Sequence, residues 1–238
     1  MKLKAIGILL IGFLISSCTT QQIQSTLNTL LNTPLTTEEI GMGLKEALSK
    51  GARSGADALA REGGYFDDLA YRILLPEEAR VVTDRLRIIP GFTDLEEVII
   101  RKINQGAEDA AKEAAPIFLD AIKRMTIQDA MGILKGDKDA ATQYLVRTTR
   151  DQLYAKFNPV IISSLDKFDA RQIWSDATTK YNSIPLLDDV DTDLAGYVTD
   201  RALDGLFKKV AAEELNIRDN VSARTTDLLK KVFAAQDE

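Results

Sequence analysis

From Thr36 onward the apolar residues of this chain recur at spacings of three and four, a period that only a helix can place on one face. Ile40, Leu44, Ala47, Leu48, Gly51, Gly55, Ala58 and Leu59 make one such stripe. Leu194, Val198, Ala202, Leu203, Leu206, Phe207 and Val210 make another, and Leu228, Leu229, Val232 and Phe233 a third. Capping signals precede several runs. Thr36 with Glu39, Thr93 with Glu96, and Thr126 with Asp129 each place a hydroxyl three residues before an acid, so that each side chain can bond an orphan backbone N–H. Glycine and alanine on the first stripe predict a close helix–helix approach, at some loss of helix propensity.

Breakers divide the periodic stretches. Gly63-Gly64 is expected to end the first helix, and Pro90-Gly91 to make a turn. Pro116 should kink or restart a helix, and Asn158-Pro159 should break one. Pro76 suits the first position of a helix through Ile88. Tyr71, Ile73 and Leu75 alternate, which predicts a short extended piece before Pro76. Ile217, Arg218 and Asn220 read as a turn. No longer alternating series and no solenoid-period repeat is present. The expected fold is all-α: a multi-helix bundle forming one compact domain over residues 36–238, with two subdomains meeting near Asn158 as a variant.

The first residues obey different rules. Lys2 and Lys4 precede an apolar run from Ala5 to Ile15, shorter than the roughly 20 residues a membrane-spanning helix needs and suited to a signal-peptide core. Ile15-Ser16-Ser17-Cys18 then resembles a lipobox: an aliphatic residue, two small residues and the cysteine whose thiol is alkylated. The expected division is a lipoprotein signal peptide at 1–17, a lipidated Cys18 with a polar tether at 18–35, and the helical domain at 36–238. Each acyl methylene buried in the bilayer contributes about 0.8 kcal/mol, so several chains anchor a protein durably. Thr19 rather than Asp follows Cys18, which by resemblance to other diderm lipoproteins favours the outer membrane and a periplasm-facing domain.

Composition excludes several chemistries. The chain has no histidine, so Ser-His-Asp and Cys-His systems are impossible and zinc, copper and haem lose their usual ligand. The one cysteine is Cys18, which leaves the domain without a disulfide. Removing Lys2 and Lys4 with the signal takes the formal charge from −6 to −8. An acidic body argues against nucleic acid, whose phosphates need a basic face, and against electrostatic adhesion to anionic lipid.

The remaining candidate sites are polar clusters. Asp189, Asp191 and Asp193 alternate like the opening of a calcium loop with Asp200 at the twelfth place, but Leu194 stands where such a loop needs glycine. The plainer reading makes these acids helix caps. Ser164 and Lys167 match Ser-x-x-Lys without the companion motifs of penicillin-recognising enzymes, so a solvated helix face is the preferred reading. Arg218 and Arg224 with Glu214 form a candidate polar or anion site, or else an internal ion-pair network locking the last helix. Asn104 with Glu108, and Thr142 with Thr149 and Arg150, would line a polar cleft or lie on ordinary surface. Tyr65, Phe66 and Tyr71 would cover a pocket, touch a partner or pin their loop to the core.

Four blocks of sequence carry a family resemblance. The first is Gly43 to Leu48 with Gly51; the second runs through Met125-Thr126, Asp129-Ala130, Ile133-Leu134, Gly136, Ala140 to Thr142 and Tyr144. The third is Asp193-Leu194, Tyr197-Val198 and Ala202 to Phe207. The fourth holds Glu213-Glu214, Ile217-Arg218, Ala223 to Thr226, Leu228-Leu229 and Val232-Phe233. Over Thr36 to Phe233 the chain resembles the bacterial family known as domain of unknown function 4197, which implies a helical, often secreted or lipoprotein-linked protein without an assigned activity. Where that family's pattern has Asn-Arg-Ala-Ala-Glu, this chain has Asn104-Gln105-Gly106-Ala107-Glu108.

These readings converge on a periplasmic lipoprotein held to the bilayer through acylated Cys18. It is expected to be non-enzymatic, with no cofactor, and to bind a partner protein or an apolar ligand or to serve the envelope structurally. The alternative is a carboxylate-based, divalent-metal-dependent enzyme using Asp189, Asp191 and Asp193.

Overall fold

A computed structural model describes residues 35–76, 94–167, 169–183 and 193–234, together with Arg80, Thr83 and Asp84. Contacts divide the chain into two units, Met1–Leu35 and the helical unit Thr36–Glu238. Its described residues form eight α-helices and no strand, an all-α bundle. They are α1 (Thr37–Leu59), α2 (Leu95–Ala111), α3 (Ala114–Arg124), α4 (Ile127–Lys135), α5 (Ala140–Asp166), α6 (Ala170–Asn182), α7 (Leu194–Asp219) and α8 (Asp227–Ala234). A 3-10 turn at Val221–Ala223 joins the last two.

The local signals act as their chemistry requires. The Thr36 hydroxyl accepts the Glu39 amide at 3.2 Å and the Glu39 carboxylate accepts the Thr36 amide at 2.8 Å, so α1 begins in a closed capping box. Thr126 and Asp129 repeat the device at α4, which stops at Gly136. Thr93 lies outside the described residues. Pro116 falls in the first turn of α3, where its missing N–H leaves no helical bond unmade, and the chain restarts two residues before it.

Three boundaries differ from expectation. Helix α1 ends at Leu59, before the glycines, and Gly63 takes a left-handed φ of 76° in the loop beyond. Helix α5 runs through Pro159 to Asp166. Pro159 and Ala155 are exposed, so water can satisfy the carbonyl that the proline leaves without a donor. Buried Leu153, Phe157, Ile161 and Leu165 hold both halves of the helix against one core, and no subdomain boundary falls at Asn158. Ile217 and Arg218 belong to the last turn of α7, not to a turn after it.

Helices α5 and α7 form the centre. Helix α5 packs on α2, α3 and α7, while α1 packs on α3, α4, α7 and α8. Leu145, Leu153, Phe157 and Ile161 of α5 and Val198, Ala202, Leu203 and Leu206 of α7 are all fully buried where the two helices pack. Each such leucine or phenylalanine contributes about 1.5–3 kcal/mol on burial. Phe118 meets Phe207 edge to face, with centroids 5.8 Å apart. The small residues of α1 bring α8 close: a Cβ on Gly43 would lie 2.8 Å from Val232 Cγ2.

Candidate functional site

A cluster of buried polar side chains holds the loop that follows α1, from Gly63 to Leu75. Apolar Ile99, Ile103 and Ala107 put one face of α2 in the core, and Asn104 and Glu108 are buried there with them. A buried amide or carboxylate must find partners, and both find them in the loop backbone. Asn104 Oδ1 accepts the Ile73 amide at 2.8 Å, and its Nδ2 donates to the Ile73 carbonyl at 2.8 Å and the Ile100 carbonyl at 2.7 Å. The alternating piece at Tyr71–Leu75 thus pairs with a side chain instead of a strand. Ile73 and Leu75 are buried on one side of it, and Leu74 is exposed on the other.

One turn along α2, Glu108 Oε1 accepts the amides of Tyr65 and Phe66, each at 3.2 Å. Burial pushes the Glu108 carboxyl above the ordinary glutamate range; the amide bonds from Phe66, Tyr65 and Gly63 oppose the shift, and Asp67 adds to it. The Tyr65 ring is fully buried and its hydroxyl donates to the Ala202 carbonyl at 2.7 Å. Burial raises the pKa of that phenol, and the charge of Glu108 raises it further. A Cβ on Gly205 would stand 2.9 Å from the Tyr65 ring, so the absence of a side chain there makes room for the tyrosine. The Phe66 ring carries the guanidinium groups of Arg72 and Arg101 at 4.5 and 4.3 Å. From α7, Tyr197 donates to the Leu74 carbonyl at 2.8 Å and Lys208 to the Ala70 carbonyl at 3.0 Å.

Two clefts flank this loop. One, of about 530 Å³, runs between the end of α1, the loop and Lys209. The other, of about 280 Å³, is lined by Ala60, Glu62, Gln105, Glu108, Asp109, Lys112, Ser164 and Lys167. Ser164 and Lys167 therefore share a cleft, but the buried Ser164 hydroxyl donates to Asp109 Oδ2 at 3.4 Å, and Lys167 is exposed. Asp109 also receives Lys112 at 2.8 Å.

The charged cluster near the C-terminus is an internal clamp. Glu214 is buried on α7, and its carboxylate accepts the Ala141 amide at 3.1 Å, the Thr142 amide at 2.8 Å and the Thr142 hydroxyl at 2.9 Å. Asp139, the local cap position of α5, makes no side-chain cap bond. Arg218 donates to Glu214 Oε1 at 2.9 and 3.1 Å and to the Ile133 carbonyl at 3.0 Å, linking the end of α4 to the start of α5. Arg224 is buried and donates to the carbonyls of Ile217 and Arg218 at 3.1 and 2.6 Å, closing the C-terminus of α7. Its guanidinium also lies 5.5 Å from the Phe233 ring. The three residues proposed for a polar or anion site thus gather in one region, where these bonds turn them inward onto helix ends.

A family described as "Protein of unknown function (DUF4197)" matches residues 34–234. The chain belongs to that family. No curated protein and no solved structure matches it. The DUF4197 match spans all eight described helices, including both the loop anchors on α2 and the clamp on α7. Gln105, beside these anchors, faces the smaller cleft and accepts Lys102 at 3.2 Å.

The other candidate residues fall as follows. Cys18, Asp189 and Asp191 lie outside the described residues. Asp193 caps α7 by accepting the Gly196 amide at 2.9 Å. Asp200 and Asp204 bond Arg150 at 3.0 and 3.2 Å, tying α5 to α7. Thr149 turns inward onto the Leu145 carbonyl. No group of three or more acidic or cysteine side chains among the described residues is arranged to hold a metal ion. Sequence reasoning did not assign the Asn104 and Glu108 contacts to the loop. The available signal was two polar residues, one turn apart, on a stripe otherwise apolar.

Proposed function

We propose that this chain is an envelope lipoprotein, lipidated on Cys18 and held at the outer membrane with its helical body facing the periplasm. The observation that carries the reading is the order of its first residues: two lysines, an apolar run, Ile15-Ser16-Ser17 and Cys18. No helix among the described residues is long and apolar enough to cross a membrane, so attachment by lipid is consistent with the body that follows.

The body acts by binding, to a partner protein or an apolar ligand, rather than by catalysis. What supports this is the engagement of its buried polar groups. Every buried side-chain nitrogen and oxygen among the described residues has a hydrogen-bond partner; Asn104, Glu108 and Arg224 bond backbone, and Glu214 and Arg218 bond both backbone and each other. Such groups hold helices and a loop in place. The exposed part of the loop, with Leu69 80% accessible beside the larger cleft, is the surface such a partner would meet.

Metabolic labelling with a palmitate analogue and membrane fractionation test the anchor. Labelled, outer-membrane protein that accumulates as precursor under globomycin is the expected result. A Cys18→Ser chain that still labels and still fractionates with membranes overturns it. Crosslinking from Leu69 in intact envelopes tests the binding role, and the expected result is a defined adduct.

A further inference from the structure

Two glutamates of this bundle are buried to the same degree, 6% exposed each, and both accept main-chain N–H bonds. Glu214 also receives the Arg218 guanidinium through two bonds. Glu108 receives only amides; no ammonium or guanidinium bonds it among the described residues. The charged and titratable groups around it are Tyr65 and Asp67 from the loop, Glu62 beyond α1, Asp109 and Lys112 on α2, and Lys167 after α5. Lys112 is drawn to Asp109, and Lys167 sits exposed at the rim. A carboxylate in this position loses water without gaining a counter-charge. Opening the loop would return that water.

We propose that Glu108 is a proton-operated latch on the loop from Gly63 to Leu75: protonated, it holds the loop closed, and ionised, it lets the loop open more readily. Anchoring the amides requires only an acceptor oxygen, which the neutral carboxyl retains. The amide bonds favour the charged form, but burial without a counter-charge outweighs them, so on balance the charge works against closure. The raised pKa of the carboxyl has the same sign. Closing takes up a proton, so closure is favoured by acid and weakened as pH rises from the ordinary glutamate value through the raised one. The loop supplies Gly63, Gly64, Asp67, Asp68, Leu69 and Tyr71 to the wall of the larger cleft, so protonation governs how persistently that cleft keeps its shape. The use of the latch rests on the envelope location proposed above, where the medium reaches the protein. Its operation does not, and the purified full-length chain tests it separately.

The test is native-state hydrogen exchange of the full chain in detergent between about pH 4.5 and about pH 7.5, corrected for intrinsic exchange. The opening constant for the Tyr65 and Phe66 amides should rise by up to about tenfold per pH unit across the titration of Glu108. It should be flat in Glu108→Gln, which keeps the acceptor and removes the charge. The Ala141 and Thr142 amides, held by the paired glutamate, should be flat in both proteins. A flat wild-type loop, an unchanged slope in Glu108→Gln, or an equal slope at Ala141 and Thr142 overturns the proposal. If the variant does not fold, carbon-13 titration of the wild-type Glu108 carboxyl decides: a midpoint at or below the ordinary glutamate value overturns it.

Discussion

Glu214 on α7 caps α5 by accepting the Thr142 amide at 2.8 Å, across 72 residues of sequence. A helix ordinarily takes its N-cap from the residue before its first turn. Here Asp139 stands in that place without making the bond, and a side chain from the central helix makes it. Arg218, one turn further on, balances the charge and holds the Ile133 carbonyl in the last turn of α4. Two helix ends, the start of α5 and the end of α4, thus depend on one ion pair.

Glu214→Ala should therefore destabilise the body by about 3–5 kcal/mol, because it leaves Arg218 buried without its partner and α5 without its cap. Glu214→Gln should cost less, since it retains an acceptor. Urea denaturation followed by circular dichroism measures both. A loss below about 1 kcal/mol for the alanine variant would show that water replaces the carboxylate.

Asn104→Leu removes the partner of both backbone groups of Ile73. Leaving a buried donor and acceptor unmatched should cost about 2–4 kcal/mol in total. The damage should be local. Exchange at the Ile73 amide should accelerate far more than exchange in α5 or α7, and equal acceleration throughout would contradict the assigned role.

Gly43→Ala drives a Cβ to 2.8 Å from Val232 and should cost about 1–3 kcal/mol through overpacking. Val232→Ala alone should also destabilise. Combined, the two should be less harmful than the sum of their separate effects. A double-mutant cycle in thermal or urea unfolding reads the coupling, and strict additivity would mean that α1 and α8 do not meet at these residues.

Tyr65→Phe keeps the ring beneath the loop and deletes its bond to the Ala202 carbonyl. The expected loss is about 0.5–1.5 kcal/mol, with the bundle intact. Gly205→Ala should be worse, because its Cβ would reach 2.9 Å from the same ring. Equilibrium unfolding of the two variants tests that order.

Much of the fold was legible in the chain itself. The stripe from Leu194 to Val210 is buried as its spacing predicts, and the boxes at Thr36 and Thr126 begin helices. These features are set by residues within a few positions of one another, where period and capping chemistry are determined locally. Ser164 with Lys167 was also visible as a pair three residues apart, and Glu214 with Arg218 and Arg224 as one cluster.

What those side chains bond was decided only by tertiary structure. Nothing in the order of residues tells Asn104 to pair with Ile73, Glu108 to hold Tyr65 and Phe66, or Glu214 to cap a helix begun at Ala140. Nor does it tell Pro159 that an exposed position will let a helix pass through it. A polar group in a core is satisfied by whatever backbone the packing of distant helices brings within about 3 Å. The periodicity of this chain determined its helices, and burial against distant segments determined what its polar residues do.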